Sequence, residues 1–144
     1  MSKPSIPALP CMCASFRRAS RALTQRYDEA MRPLGLTGTQ FTILQVLTIT
    51  GEIPQGKLGE ILAMDSTTLT RTLKIISRHG WIVTRRGKDR RERWLRLSPS
   101  GEAEFRRARP HWERAQEQTR AQLGDKRWKT LMNLINEVTA AVAE

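Results

Sequence analysis

The chain is 144 residues long, which suits one domain, or one binding module with an attached oligomerisation region. It carries 25 Lys and Arg against 14 Asp and Glu, a formal net charge of +11. That excess favours a polyanionic partner, because each phosphate neutralised releases counterions. No apolar run approaches the roughly 20 residues that span a bilayer, and the N-terminus reads Met-Ser-Lys-Pro-Ser-Ile-Pro, without an apolar signal core. Two cysteines are too few and too close for a disulfide framework. The expectation is a cytoplasmic protein with no membrane span, although an anionic membrane surface would satisfy the charge as well as a nucleic acid does.

Taken in chain order, residues 1–10 hold three prolines and little pattern, which predicts a mobile arm. From about Cys11 to Met31 the apolar residues Met12, Phe16, Ala19, Leu23, Tyr27 and Ala30 fall at helical spacing, giving one stripe that faces a partner. Pro33 and Gly35 end that helix. A second helix is predicted from about Thr39 to Ile49, stopped by Gly51. Pro54 fits the first turn of a short third helix, where its missing N–H costs nothing. A break at Ala63-Met64-Asp65 precedes a fourth helix, capped by Asp65 or Ser66 and stopped by Gly80.

The period then changes. Trp81-Ile82-Val83-Thr84-Arg85 reads as a strand, residues 86–92 as a charged turn, and Arg93 to Leu97 as a second strand with Leu95 and Leu97 inward. Ser98-Pro99 opens a long helix in which Pro110 should introduce a kink. Gly124-Asp125 breaks the chain and caps a last helix with a stripe of Trp128, Leu131, Ile135, Val138 and Val142. The fold class expected is mainly α with a small β-hairpin wing. A winged helix-turn-helix unit at residues 37–98 would be flanked by helical dimerisation segments at 11–36 and 99–144.

Two short helices joined by a tight turn and followed by a basic hairpin point to double-stranded DNA as partner. The helix at about 66–78 carries Ser66, Thr67, Thr68, Thr70 and Arg71, short hydroxyls and a guanidinium that suit base edges and phosphates. The hairpin adds Arg85, Arg86, Lys88, Arg90, Arg91 and Arg93, within reach of a narrow minor groove. Asp89, two residues before Arg91, can hold that guanidinium by a bidentate pair. The helices outside this unit bear apolar stripes with no partner inside it. Burying them against a second copy gives a homodimer with recognition helices about one DNA turn, roughly 34 Å, apart.

The run Asp89-Arg90-Arg91-Glu92-Arg93-Trp94-Leu95-Arg96-Leu97-Ser98-Pro99-Ser100-Gly101, with the upstream phrase from Leu58 to Arg71, resembles the MarR family of transcriptional regulators over residues 11 to 140. The resemblance implies a DNA-binding dimer in which Arg91 enters the minor groove and Asp89 orients it. Within that family the chain is most similar to members that sense organic peroxides through a cysteine near the start of the first helix. Cys13 stands at the matching place, with Cys11 beside it. Tyr27 matches a tyrosine that steadies the thiolate, and Arg17 and Gly38 stand where two further tyrosines would be. Arg17, one turn from Cys13, could lower its pKa by charge. The two thiols, read as helix positions i and i+2, would point to opposite sides, so a bond across the dimer is favoured over one between them.

The family also binds aromatic or phenolic effectors between its DNA-binding and dimerisation helices, for which Phe16, Arg17, Arg21, Phe41 and Trp112 are candidate walls. His79 and His111 lack metal-ligand spacing, and no phosphate loop or nucleophile–base pair appears. No metal, cofactor or enzymatic activity is expected. The leading function is a repressor acting on an inverted-repeat operator, released by an effector or by thiol oxidation; the competing reading is an architectural, weakly specific DNA binder.

Overall fold

The computed structural model describes residues 6–143. Residues 1–5 of the expected N-terminal arm lie outside the described residues. Residues 6–10 are not free: Ser15 Oγ donates to the Leu9 carbonyl at 3.1 Å and Arg18 Nη1 to the Pro7 carbonyl at 2.8 Å. Cys11 is extended (φ −87°, ψ 122°) and caps the first helix, α1 (Met12–Met31), its Sγ accepting from the Ala14 amide. A short 3₁₀ turn at Arg32–Leu34 closes on Gly35 at φ +71°, the left-handed geometry that favours glycine.

Helix α2 (Gly38–Thr50) starts with a capping box, Thr37 and Gln40 each satisfying the other's amide. It buries Phe41, Ile43, Leu44 and Leu47, and so runs through the core rather than over it. Then come β1 (Ile53–Pro54), α3 (Gln55–Leu62), α4 (Ser66–Arg78), β2 (Ile82–Arg86) and β3 (Arg93–Leu97). Two helices complete the chain, α5 (Pro99–Leu123) and α6 (Asp125–Val142). The architecture is a mainly helical winged helix with a small antiparallel sheet.

The sheet has three strands in the order β1-β3-β2, not the two of a bare hairpin. Pro54 is not in the first turn of α3. It is the extended residue before that helix and pairs with Trp94 in the sheet, as Ile53 does with Leu95. An edge strand tolerates a proline because the absent N–H has no neighbour to serve. Leu58, Leu69, Leu73, Ile76, Ile82, Leu95 and Leu97 meet α2 in one core with Trp81 and Ala108. Full burial of each such side chain is worth about 1.5–3 kcal/mol, enough to lock α3, α4 and the sheet together.

Ser98 joins the wing to α5. Its Oγ donates to the Gly80 carbonyl at 2.6 Å and accepts from the Gly101 amide at 3.0 Å. Helix α5 continues through Pro110 as one element. Asp125 does not cap α6: the cap position is Gly124, without a side-chain bond, and the Asp125 carboxylate accepts from Arg120 Nε at 2.8 Å instead. Helix α6 has no buried residue among those described, and Leu131, Met132, Leu134 and Val142 are exposed, as are Met12, Phe16 and Leu23 on α1.

Candidate nucleic-acid interface and effector cleft

Helix α4 is strongly two-faced. Leu69, Leu73 and Ile76 point into the core, while Ser66, Thr67, Thr70, Arg71 and Lys74 surround one shallow solvent-facing depression. Asp65 caps the helix, its carboxylate accepting from the Thr68 amide at 2.8 Å and the Thr68 hydroxyl at 2.9 Å. Those bonds hold the Asp65 carboxyl below its ordinary pKa. The Thr68 hydroxyl is therefore committed to the cap, unlike its neighbours. Gln55 of α3 donates to the Thr70 hydroxyl at 3.2 Å, tying the two helices at their solvent edge.

The wing tip is closed by backbone bonds between Gly87 and Glu92 and between Glu92 and Asp89. Arg86, Lys88, Arg90 and Arg91 are exposed and make no ion pair among the described residues. The expected pairing of Asp89 with the Arg91 guanidinium is not what the structure has. Asp89 Oδ1 accepts from the Arg91 backbone N–H at 3.0 Å, an Asx-type turn. The nearer donor wins: an amide two residues on is fixed by the turn, whereas a long guanidinium must lose rotamer freedom to reach back. Asp89 thus shapes the tip, and the Arg91 side chain stays available.

The tip and the helix-turn-helix face each other across a concavity of about 1040 Å³, bordered by Gly56, Asp65, Ser66, Asp89, Arg91 and Arg93. A second groove, between α4 and the sheet, adds Thr70, Lys74, Arg78 and Arg93. Lys74 and Gln55 also line these grooves, although the sequence pattern did not single them out. The signal for Lys74 was available, since it lies one turn beyond Thr70 and Arg71 on the same face. Arg85 belongs elsewhere: it pairs with Glu52, Nε to Oε1 at 2.9 Å, and lies over the Trp94 ring at 4.9 Å.

A separate cleft of about 500 Å³ opens between α1, α2, α5 and α6. Phe16, Leu23, Tyr27, Phe41, Trp112 and Gln116 are among its walls, and no Lys or Arg is. Arg17 and Arg21, candidates from sequence, do not line it. Phe41 is 1% exposed and stacks on Trp112 at 5.7 Å and on Phe105 at 5.4 Å, so it forms the cleft floor rather than a free wall. Tyr27 donates to Gln116 Oε1, and burial pushes its hydroxyl above the usual tyrosine pKa, keeping it a donor.

Cys11 and Cys13 are both free and exposed. Because Cys11 is the extended cap residue, the pair does not have the geometry of two helical positions. Tyr27 cannot touch Cys13 of its own chain, since the helix rise separates them by roughly 21 Å.

Residues 34–92 match the profile of the MarR family. The fold matches the transcriptional regulator MosR of M. tuberculosis, crystallised in complex with DNA, with 35% identity, 91% of this chain and 95% of that one covered, and a TM-score of 0.82. The chain belongs to the MarR family. The relatives that it matches are transcriptional regulators. YwoH of Bacillus subtilis, an uncharacterised HTH-type transcriptional regulator, is 28% identical over 90 residues, 62% of this chain. The match spans just under two thirds of that relative's length, 66%. A mutant MarR of E. coli, complexed with operator DNA, shares the fold at a TM-score of 0.79 and 21% identity, over 88% of this chain and 92% of that one.

Proposed function

We propose that this MarR-family regulator is a repressor that binds an inverted-repeat operator in double-stranded DNA as a homodimer. The observation that carries the reading is the shared concavity. Ser66 of α4 borders the same space as Arg91 and Arg93 of the wing, and Thr70 and Lys74 share a second groove with Arg93, so α4 can lie in a major groove while the wing reaches the flanking minor groove. The domain division follows: residues 37–98 read DNA, and 11–36 with 99–144 supply the apolar faces for the second copy. MosR, bound to DNA in its crystal, supports this assignment.

The test is a titration of the duplex that the protein selects from a randomised pool against a scrambled duplex at the same salt concentration. A repressor gives a ratio of about 10³ or more; a ratio near unity turns the reading to an architectural binder.

Release of DNA is assigned to the cleft or to the thiols. A cleft with aromatic walls, a Tyr27 hydroxyl, a Gln116 amide and no cation fits an uncharged phenolic or other aromatic effector better than a carboxylate. The alternative is the exposed Cys13 thiol, which would take one oxygen from an organic hydroperoxide, leaving a sulfenic acid and an alcohol. A second thiol, Cys11 of the other copy, would then condense with it to a disulfide and water.

A further inference from the structure

We propose that Glu52 is a positioning residue for the wing: through Arg85 it braces the hairpin against the body of the protein and so sets where the wing tip meets DNA. The proposal rests on the DNA reading above and adds to it a residue that itself contacts no nucleic acid.

The sheet order makes the brace legible. Strand β3 is central, with β1 on one side and β2 on the other. Arg85 of β2 is opposite Trp94 of β3, and Trp94 is opposite Pro54 of β1. That row is the last in which the sheet has three strands. Only Arg86 and Arg93 pair beyond it before the tip. On the outer face of this row the Arg85 guanidinium crosses the Trp94 ring and reaches the far side, where it donates to Glu52 Oε1 through Nε at 2.9 Å and Nη2 at 2.5 Å. Arg96 Nε sits 3.9 Å from the other Glu52 oxygen.

One carboxylate therefore ties together the loop after α2, the outer strand of the wing and the central strand. Without it, Arg85 and Arg96 would be left as like charges on adjacent strands of one face. The brace continues to the tip: a Cβ on Gly87 would meet the Glu92 carboxylate first and lie 2.8 Å from Trp94 Nε1, so the indole packs, together with Glu92, against the turn that carries Lys88, Arg90 and Arg91. Arg85 and Arg96 are cations spent on the protein itself.

The sign of the effect distinguishes bracing from simple charge. Glu52→Gln removes a negative charge from a DNA-binding protein, and electrostatics alone would tighten every complex. The brace requires the opposite for the selected duplex. The experiment compares wild type, Glu52→Gln, Arg85→Gln and the double variant on the selected and scrambled duplexes, with hydrogen exchange of residues 87–92 followed in the free proteins.

The expected result for Glu52→Gln is a loss of about two- to fivefold on the selected duplex, the size of one partly exposed ion pair. The scrambled duplex should bind equally or more tightly, exchange at 87–92 should be faster, and Glu52→Gln should cost nothing further in the Arg85→Gln background. Equal or tighter binding of the selected duplex by Glu52→Gln overturns the proposal, and so does unchanged exchange at 87–92. Failure of the wild type to select any duplex would instead remove the DNA reading, and the exchange data would then decide the brace alone.

Discussion

A Cβ added at Gly101 would clash with the carbonyl oxygen of Trp81, a backbone atom that cannot step aside. This explains a motif glycine by packing: the first turn of α5 lies directly on the end of the α4–β2 connection, where Ser98 also bonds Gly80. Gly101→Ala should cost about 1–3 kcal/mol or more as an overpacked site, read as a lower denaturation midpoint at unchanged slope. A fully stable variant would show that the contact can relax. Arg91 is the residue on which the wing reading turns. Arg91→Ala should leave stability intact and weaken binding of the selected duplex by about 1–3 kcal/mol; unchanged affinity would remove Arg91 from the interface. The sequence showed which residues gather at the wing, but not their partners. Asp89 lies two residues from Arg91 in either case, and only the closed turn reveals that the Arg91 amide, not the guanidinium, donates to its carboxylate. Glu52 was invisible because its partners, Arg85 and Arg96, are brought beside it by strand order.

Helix α4 depends on its cap. The Asp65 carboxylate is held below the usual aspartate value of 3.8 by the Thr68 amide and hydroxyl. A depressed folded pKa gives a contribution that is complete above the unfolded value and is lost as pH falls through the folded one. The thermal midpoint of Asp65→Asn, whose amide oxygen still caps but does not titrate, should therefore fall less than that of wild type as pH drops below 3.8. Parallel curves would contradict the assignment. At the start of α1, Cys11 is the cap and Cys13 the second helical residue. Oxidation there should disturb the helix entry, and DNA binding by wild type should fall with an organic hydroperoxide while Cys13→Ser is indifferent. Wild-type indifference would leave release to the aromatic cleft. Helix positions were readable because 3.6-residue periodicity and Gly or Pro stops recur along the chain. Strand β1 was not, since two residues carry no period and Pro54 suits a helix start as well as an edge strand. Of the pair Gly124-Asp125, Gly124 takes the cap position and Asp125 is the first helical residue, its carboxylate accepting from Arg120.

On the scale of the molecule, the apolar surface divides by region. The core closes around α2, α3, α4 and the sheet, whereas α6 contributes no buried residue among those described and α1 leaves Met12, Phe16 and Leu23 exposed. These faces have no cover within the described chain, and the proposed homodimer would supply one through a two-fold axis that places two α4 helices on one side. The fold class and the family were legible from the basic hairpin and its neighbouring helices. The apolar cleft walls were legible in part: Phe16 and Trp112 line it, whereas Arg17 and Arg21 do not, because helix rotation rather than sequence proximity decides which residues face it. Hydroxyl-radical footprinting of the selected duplex tests the central claim most directly. Two equivalent protected segments, centred about 10 base pairs apart and related by two-fold symmetry, with minor-groove protection flanking each that disappears in Arg91→Ala, are the predicted result. A single asymmetric footprint, or protection that shifts uniformly along the duplex, would contradict it.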